Sequence, residues 1–226
     1  MSRYTEISKF RKSFDTVTNW VYYPMASFIC ALFSYSAITP NQITCLAILS
    51  ELSATYLIIT SFESNLILIV ILLQFGWLFD LMDGMLARYK KIGFYHPTNP
   101  SNKGYYLDAV SDHILKFIIL GALTYQFTLQ NESGWFIGLI AIIIHGITQT
   151  EHTLRKMIHN FRIKTNQRQK LKPSLVEHIA LIMNNIYLFY FVFIMFNRID
   201  LLLLTFAGAE SILFIKRVFQ FWQSEP

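Results

Sequence analysis

Six stretches of about twenty mostly apolar residues follow one another closely along the chain: Gln42–Ser61, Leu66–Arg88, Gly104–Thr128, Gly134–Leu154, Leu175–Phe196 and Ile199–Trp222. An α-helix rises ~1.5 Å per residue, so each stretch can cross a hydrocarbon core roughly 30 Å thick. The expected fold is all-α: a polytopic membrane helical bundle with six transmembrane helices. Composition agrees, since 15% of residues are charged against about a quarter in a soluble domain. Aromatic residues make up 16%, too many for a disordered chain. Cys30 and Cys45 lie in apolar stretches outside any CxxC or Cys/His cluster, which excludes a disulfide scaffold and a zinc finger. The first twenty residues mix polar and basic types and lack a signal-peptide pattern.

The basic residues give the expected orientation. Arg3, Lys9, Arg11 and Lys12 precede the first span, and Arg88, Lys90, Lys91 and Lys103 flank the link after the second. Arg155, Lys156, Arg162, Lys164, Arg168, Lys170 and Lys172 follow the fourth span, and Lys216 and Arg217 close the sixth. Seventeen of the 19 Lys and Arg residues thus share one side of a six-span arrangement. Basic residues stay cytoplasmic, which puts both termini there and makes the chain an integral, multi-pass membrane protein. The net charge of +5 then requires no nucleic acid. Trp20–Ala37 is also apolar, but crossing there would place the N-terminal basic cluster outside. Its Trp20, Tyr22, Tyr23 and Pro24 suit an interfacial helix along the cytoplasmic surface. The expected division is residues 1–38 as a cytoplasmic or interfacial segment and 39–226 as the six-helix domain.

Carboxylates in a lipid-spanning helix cost roughly 2.5–3.5 kcal/mol each on an insertion scale, so they face a cavity, a partner or an ion. Asp80 and Asp83 stand near the cytoplasmic end of the second span, and Asp108 and Asp112 near the start of the third. Spacings of three and four residues put each pair on one helix face. Antiparallel neighbours can bring both pairs to one depth, where four carboxylates repel unless cations neutralise them. Oxygen-only ligands select hard divalent ions such as Mg²⁺ or Mn²⁺. Two such ions can clamp a pyrophosphate. Gly84 and Gly104 lie beside the acids and admit close approach of a ligand or backbone. Arg88, two turns beyond Asp80, can hold phosphate oxygens bidentately.

The run Asp80, Asp83, Gly84, Ala87, Arg88, followed by Gly104, Asp108 and Asp112, resembles the signature of the CDP-alcohol phosphotransferase (CDP-alcohol phosphatidyltransferase) family. That signature reads Asp-x-x-Asp-Gly-x-x-Ala-Arg, a spacer, then Gly-x-x-x-Asp-x-x-x-Asp, and every fixed residue is present. Upstream, Pro40, Asn41 and Thr44 resemble the family's entry to the first span. The spacer Tyr89–Lys103 has fifteen residues, about twice the usual length. Its Pro97, Pro100 and polar run Thr98–Asn102 mark the excess as a loop.

The resemblance implies a reaction: transfer of a phospho-alcohol, phosphatidyl-type group from a CDP-linked donor to an acceptor hydroxyl, releasing CMP. It implies that Asp80, Asp83, Asp108 and Asp112 hold two Mg²⁺ or Mn²⁺ ions, with Asp112 as the base. It implies a cytidine diphosphate pocket formed by Asn41, Thr44, Gly84, Ala87, Arg88 and Gly104, and a homodimer in the membrane. CDP-diacylglycerol and a polar cytoplasmic acceptor, in phospholipid biosynthesis, form the leading pair. A CDP-amino-alcohol donor or a polyol-phosphate product would use the same chemistry. An intramembrane prenyltransferase fits less well because its aspartate motifs differ, and a small cation transporter because its site would lie near the midplane. In a bacterium the setting would be the inner or plasma membrane, with the site facing the cytoplasm.

Other residues carry weaker signals. Arg155 and Lys156 continue the fourth span and are the acceptor-site candidates. His145, His152 and His159 recur every seven residues, about 10 Å apart along a helix, which suits packing or polar lining. Glu51 and Glu210 face either the cavity or polar groups of the bundle. Asn184 and Asn185 could bond between helices, and the aromatic run Tyr187–Phe193 suits lipid or core.

Overall fold

The structure is a computed structural model that describes residues 2–11, 16–163 and 186–224. Its described residues are mostly helical, with no strand. After α1 (Arg3–Ser8), a wide π-type turn (Thr18–Tyr22) leads into α2 (Tyr23–Phe33). Then come α3 (Pro40–Ser61), α4 (Leu66–Lys90), α5 (Lys103–Gln130) and α6 (Gly134–Ile163). α7 is Ile186–Phe189, continued by a π-type turn at Tyr190–Ile194, and α8 is Ile199–Ser224. Helices therefore occupy five of the six expected stretches, and half of Leu175–Phe196 lies outside the described residues. So do Lys164, Arg168, Lys170, Lys172, Asn184 and Asn185, together with the side chains of Lys156, His159 and Arg162. Three helical segments, Pro40–Ser61, Leu66–Tyr95 and Gly134–Arg155, are long and apolar enough to cross a membrane.

Local chemistry sets the helix ends that matter for the site. Thr39 and Gln42 form a capping box: the Gln42 amide N–H donates to Thr39 Oγ1 (3.4 Å), and the Thr39 N–H donates to Gln42 Oε1 (2.9 Å). Pro40 occupies the first helical turn, where its missing N–H is not needed. Asn41 and Thr44 are thereby placed in the opening turn of α3. At the other end of the signature, Lys91 takes a left-handed conformation (φ 53°) and stops α4.

Consecutive helices run antiparallel. Ser50 Oγ on α3 donates to Leu72 O on α4 (2.7 Å), while Thr44 meets Asp83, so the numbering runs in opposite directions. Gly138 and Gly146 of α6 face Thr124 and Phe117 of α5 in the same reversed order. Helices two apart run parallel: Asn41 lies by Gly104, and Gln126 Nε2 donates to Ile59 O (3.1 Å). Likewise His145 and Glu151 of α6 meet Glu210 and Arg217 of α8 in order. Two apolar clusters fill the bundle. One joins α3, α4, α5, α7 and α8 around Ile58, Leu73, Leu123, Tyr190 and Phe206. The other joins α2 to α4 through Tyr23, Ala26, Cys30, Leu78, Met82 and Leu86.

The second cluster shows how the apolar stretch at residues 20–37 is held: it packs lengthwise on α4. Tyr22 donates to Gln74, Cys30 Sγ to Met82 O (3.4 Å), and Lys90 Nζ to Ile38 O (2.8 Å), all at the same sequence separation of 52. Only two helices running side by side in one direction keep a constant offset. The reason is the small residues Ala26, Ser27 and Cys30, fully buried on one face of α2, which let its backbone approach α4.

Gly138 offers a direct test of this packing. A Cβ there would overlap the Thr124 side chain, whose hydroxyl is already tied to Leu120 O at 2.7 Å. Gly138→Ala is expected to cost about 1–3 kcal/mol through overpacking. Gly121→Ala, with nothing within 4 Å of the new methyl, is expected to be neutral or slightly stabilising. Thermal unfolding in detergent measures both.

Candidate active site

One face of α4 carries Leu78, Met82 and Met85 toward α2, and the opposite face carries Gly76, Asp80, Asp83 and Gly84 toward α3 and α5. The 3.6-residue repeat makes this separation inevitable once the apolar side is buried. On α5, Gly104, Asp108 and Asp112 form one stripe by the same rule. α4 packs antiparallel and α5 parallel on α3, so the two stripes come to face each other. Asp80, Asp108 and Asp112 each place a carboxylate oxygen within 4.8 Å of the other two, all half-buried. Two unit charges about 4 Å apart repel by roughly 4 kcal/mol at an effective dielectric near 20. The triad therefore calls for a compensating cation. Lys116, one turn beyond Asp112, bears on Asp80 and Asp112 electrostatically.

Asp83 stands beside the triad and is more deeply buried, 5% exposed. Its Oδ2 accepts a short hydrogen bond from Thr44 Oγ1. The resemblance gives Thr44 to the nucleotide pocket; in the structure its hydroxyl is engaged with Asp83 and lies 3.2 Å from Pro40 O. Asn41 lies against α5. Its Oδ1 occupies the space above Gly104, 2.7 Å from where a Cβ would stand. Glycine at 104 is thus needed for close approach of α3 to α5.

Arg88 lies back along α4 over Gly84, where a Cβ would be 3.2 Å from its NH1. Its Nε donates to the backbone carbonyl of Phe10 (2.9 Å). Ala87 is half-buried, and its carbonyl accepts the Ile92 N–H (3.0 Å) where α4 ends. The residues Asn41, Thr44, Gly84, Ala87, Arg88 and Gly104 thus border the carboxylates at one end of the bundle.

Sequence reasoning left Glu51 undecided, and the structure places it in a polar layer next to this end. It is 4% exposed, rests on the Gly76 backbone and accepts from Tyr187 Oη at 2.7 Å. Tyr187 stacks on Trp77 (ring centroids 4.8 Å apart), and its carbonyl accepts from Gln74 Nε2 (2.7 Å). The spacing of Gly76 one turn before Asp80 was the available signal. Glu210 pairs with His145 at 3.3 Å, between the rings of Phe117 and Phe206. This is the polar-packing role expected for that histidine. Arg155 is not free: it pairs with Glu151 (2.7 Å), which Arg217 also approaches at 3.8 Å.

A family model described as CDP-alcohol phosphatidyltransferase matches residues 37–213. No curated protein matches the chain significantly.

Thr44→Val removes the only hydrogen bond that any described residue is seen to donate to Asp83 from a side chain. It is expected to weaken Mn²⁺ binding, followed by the shift in unfolding temperature, by about 10–100-fold, the usual loss of a residue that orients a ligand. Thr44→Ser keeps the hydroxyl and should retain affinity within about threefold.

Proposed function

The chain belongs to the CDP-alcohol phosphatidyltransferase family, and from that we propose an integral-membrane transferase that passes a phosphatidyl-type group from a CDP-linked donor to an acceptor hydroxyl, releasing CMP. The observation that carries the reading is the convergence of Asp80, Asp108 and Asp112 within 4.8 Å, with Asp83 beside them. Oxygen-only ligands in such a cluster fit Mg²⁺ or Mn²⁺, held by Asp80, Asp83, Asp108 and Asp112. When bound, two such ions supply charge neutralisation to the diphosphate and to both the entering and departing oxygens.

The chain's own groups do the rest. Arg88 and the α4 backbone at Gly84 grip the cytidine diphosphate, and Asn41 borders it. The acceptor oxygen attacks the phosphorus on the lipid side of the diphosphate. An O–P bond forms there as the P–O–P bridge breaks, and CMP leaves with the bridging oxygen. Asp112 takes the acceptor proton, its basicity supported by the carboxylates around it. No covalent enzyme intermediate is needed, because positioning and electrostatics carry phosphoryl transfer.

We place six spans across the bilayer, with both termini and the carboxylates on the cytoplasmic side, on the segregation of the basic residues. CDP-diacylglycerol is the proposed donor and a polar cytoplasmic alcohol the acceptor, in phospholipid biosynthesis. An apolar cleft of about 630 Å³ between α6 and α8 supports a lipid substrate: Ile147, Leu154, Phe214 and Trp222 line it, and Glu151 and Arg155 border it. Arg155, with Lys156 beside it in sequence, is the proposed acceptor contact, and a homodimer is the proposed assembly.

Purified protein with Mn²⁺, CDP-diacylglycerol and a panel of alcohols should release CMP and give a phosphatidyl product identifiable by mass. Asp112→Asn should lower turnover by about 10²–10⁴-fold while retaining donor binding. Cation flux in vesicles without CMP release from any CDP-linked donor would replace the transferase reading with a transporter.

A further inference from the structure

The family signature ends at Arg88 and resumes at Gly104, and the long segment between them has no assigned role. It folds back on itself. Gly93 has φ +66°, a conformation that favours glycine. Its carbonyl accepts from both the His96 N–H (3.1 Å) and the Ser101 N–H (3.0 Å), closing the loop. His96 Nδ1 accepts the Asn99 N–H (3.0 Å), which holds the tip. The single turn Gly93–Tyr95 is thereby pinned against the end of α4, where the Ile92 N–H donates to Ala87 O. The result is that the Tyr95 ring stands over Arg88, 6.0 Å from its Cζ.

The other contact on Arg88 comes from the far end of the chain. The Phe10 carbonyl accepts from Nε (2.9 Å), and the Phe10 ring packs edge-on against Tyr89 (centroids 6.3 Å apart). Arg88 is therefore held through Nε and approached by an aromatic ring, while among the described residues NH1 and NH2 make no hydrogen bond. Those two nitrogens lie over Gly84, on the carboxylate face of α4. A guanidinium anchored in this way has lost its rotamer freedom before any ligand arrives, and its remaining donors form a fork suited to phosphate oxygens.

We propose that Tyr95 of the insert is a donor-positioning residue: with the Phe10 carbonyl it fixes the Arg88 guanidinium for a nucleoside diphosphate. The inference rests on the nucleotide-diphosphate reading of the site. The ring does the positioning, since a cation is attracted to an aromatic face. The Tyr95 hydroxyl is not required.

The test uses full-length protein with Mn²⁺ and two readouts: CDP affinity by calorimetry, and steady-state CMP release from a CDP-linked donor. Tyr95→Ala is expected to raise the Kd for CDP and the KM for the donor by about three- to tenfold, leaving kcat and the acceptor KM within about twofold. Tyr95→Phe should match wild type. Gly93→Val, which strains the loop without touching Arg88, should reproduce the weaker CDP binding. In an Arg88→Ala background, Tyr95→Ala should add no further loss. Unchanged CDP affinity in Tyr95→Ala, a Tyr95→Phe variant as weak as the alanine, additive losses, or a wild type that does not bind CDP would each overturn the proposal. A wild type that binds CDP through Tyr95 and Arg88 yet releases no CMP would leave it standing and refute the transferase reading.

Discussion

The convergence of carboxylates from two helices is the constraint on which the site depends. Asp80, Asp108 and Asp112 converge from two helices into a half-buried space, an arrangement that water would screen and a low-dielectric interior does not. It persists because the surrounding bundle leaves no other packing. The apolar face of α4 is committed to α2, while α3 packs on the opposite face and holds α5 beside it. The acids are thus brought together by burial elsewhere, and a divalent cation is the compensation proposed for their repulsion. Oxygen ligands alone suit hard ions.

Close helix approach is the means of construction, and small residues permit it. Gly104 receives Asn41, Gly76 receives Glu51, and Gly138 receives Thr124. Each contact replaces a side chain on one helix with a side chain from its neighbour. On the α2 side, Ala26, Ser27 and Cys30 serve the same purpose. Polar bonds then fix relative position where apolar packing alone would let helices slide. Gln74 and Glu51 bind opposite ends of Tyr187, coupling α3, α4 and α7 close to Asp80.

The periphery of the site is built from segments outside the signature. The Phe10 carbonyl and the Tyr95 ring both meet Arg88, so a residue that belongs to α4 takes its orientation from the N-terminus and from the insert. Chemistry that depends on positioning rather than on a covalent intermediate gains from such support, because less freedom remains to be lost when the substrate binds.

Much of this was legible in the sequence. The length of the apolar runs determined the helices, and the three- and four-residue spacings of Asp80, Asp83, Asp108 and Asp112 determined that each pair shares a face. Both follow from the helical repeat, which is a local property. The cap at Thr39 and Gln42 was likewise written locally. Partner choice was not, because it depends on which surfaces meet across tens of residues. Only the tertiary structure decided that Thr44 bonds Asp83, that Glu51 rests on Gly76 and bonds Tyr187, and that residues 20–37 run along α4. In that last case, the segregation of basic residues and the aromatic residues Trp20, Tyr22 and Tyr23 spoke only to the helix's place relative to the membrane. The small-residue face of α2 and the hydrogen bonds of Tyr22 and Cys30 select its lengthwise packing on α4, and the partners of those bonds are not visible until α4 is placed beside them.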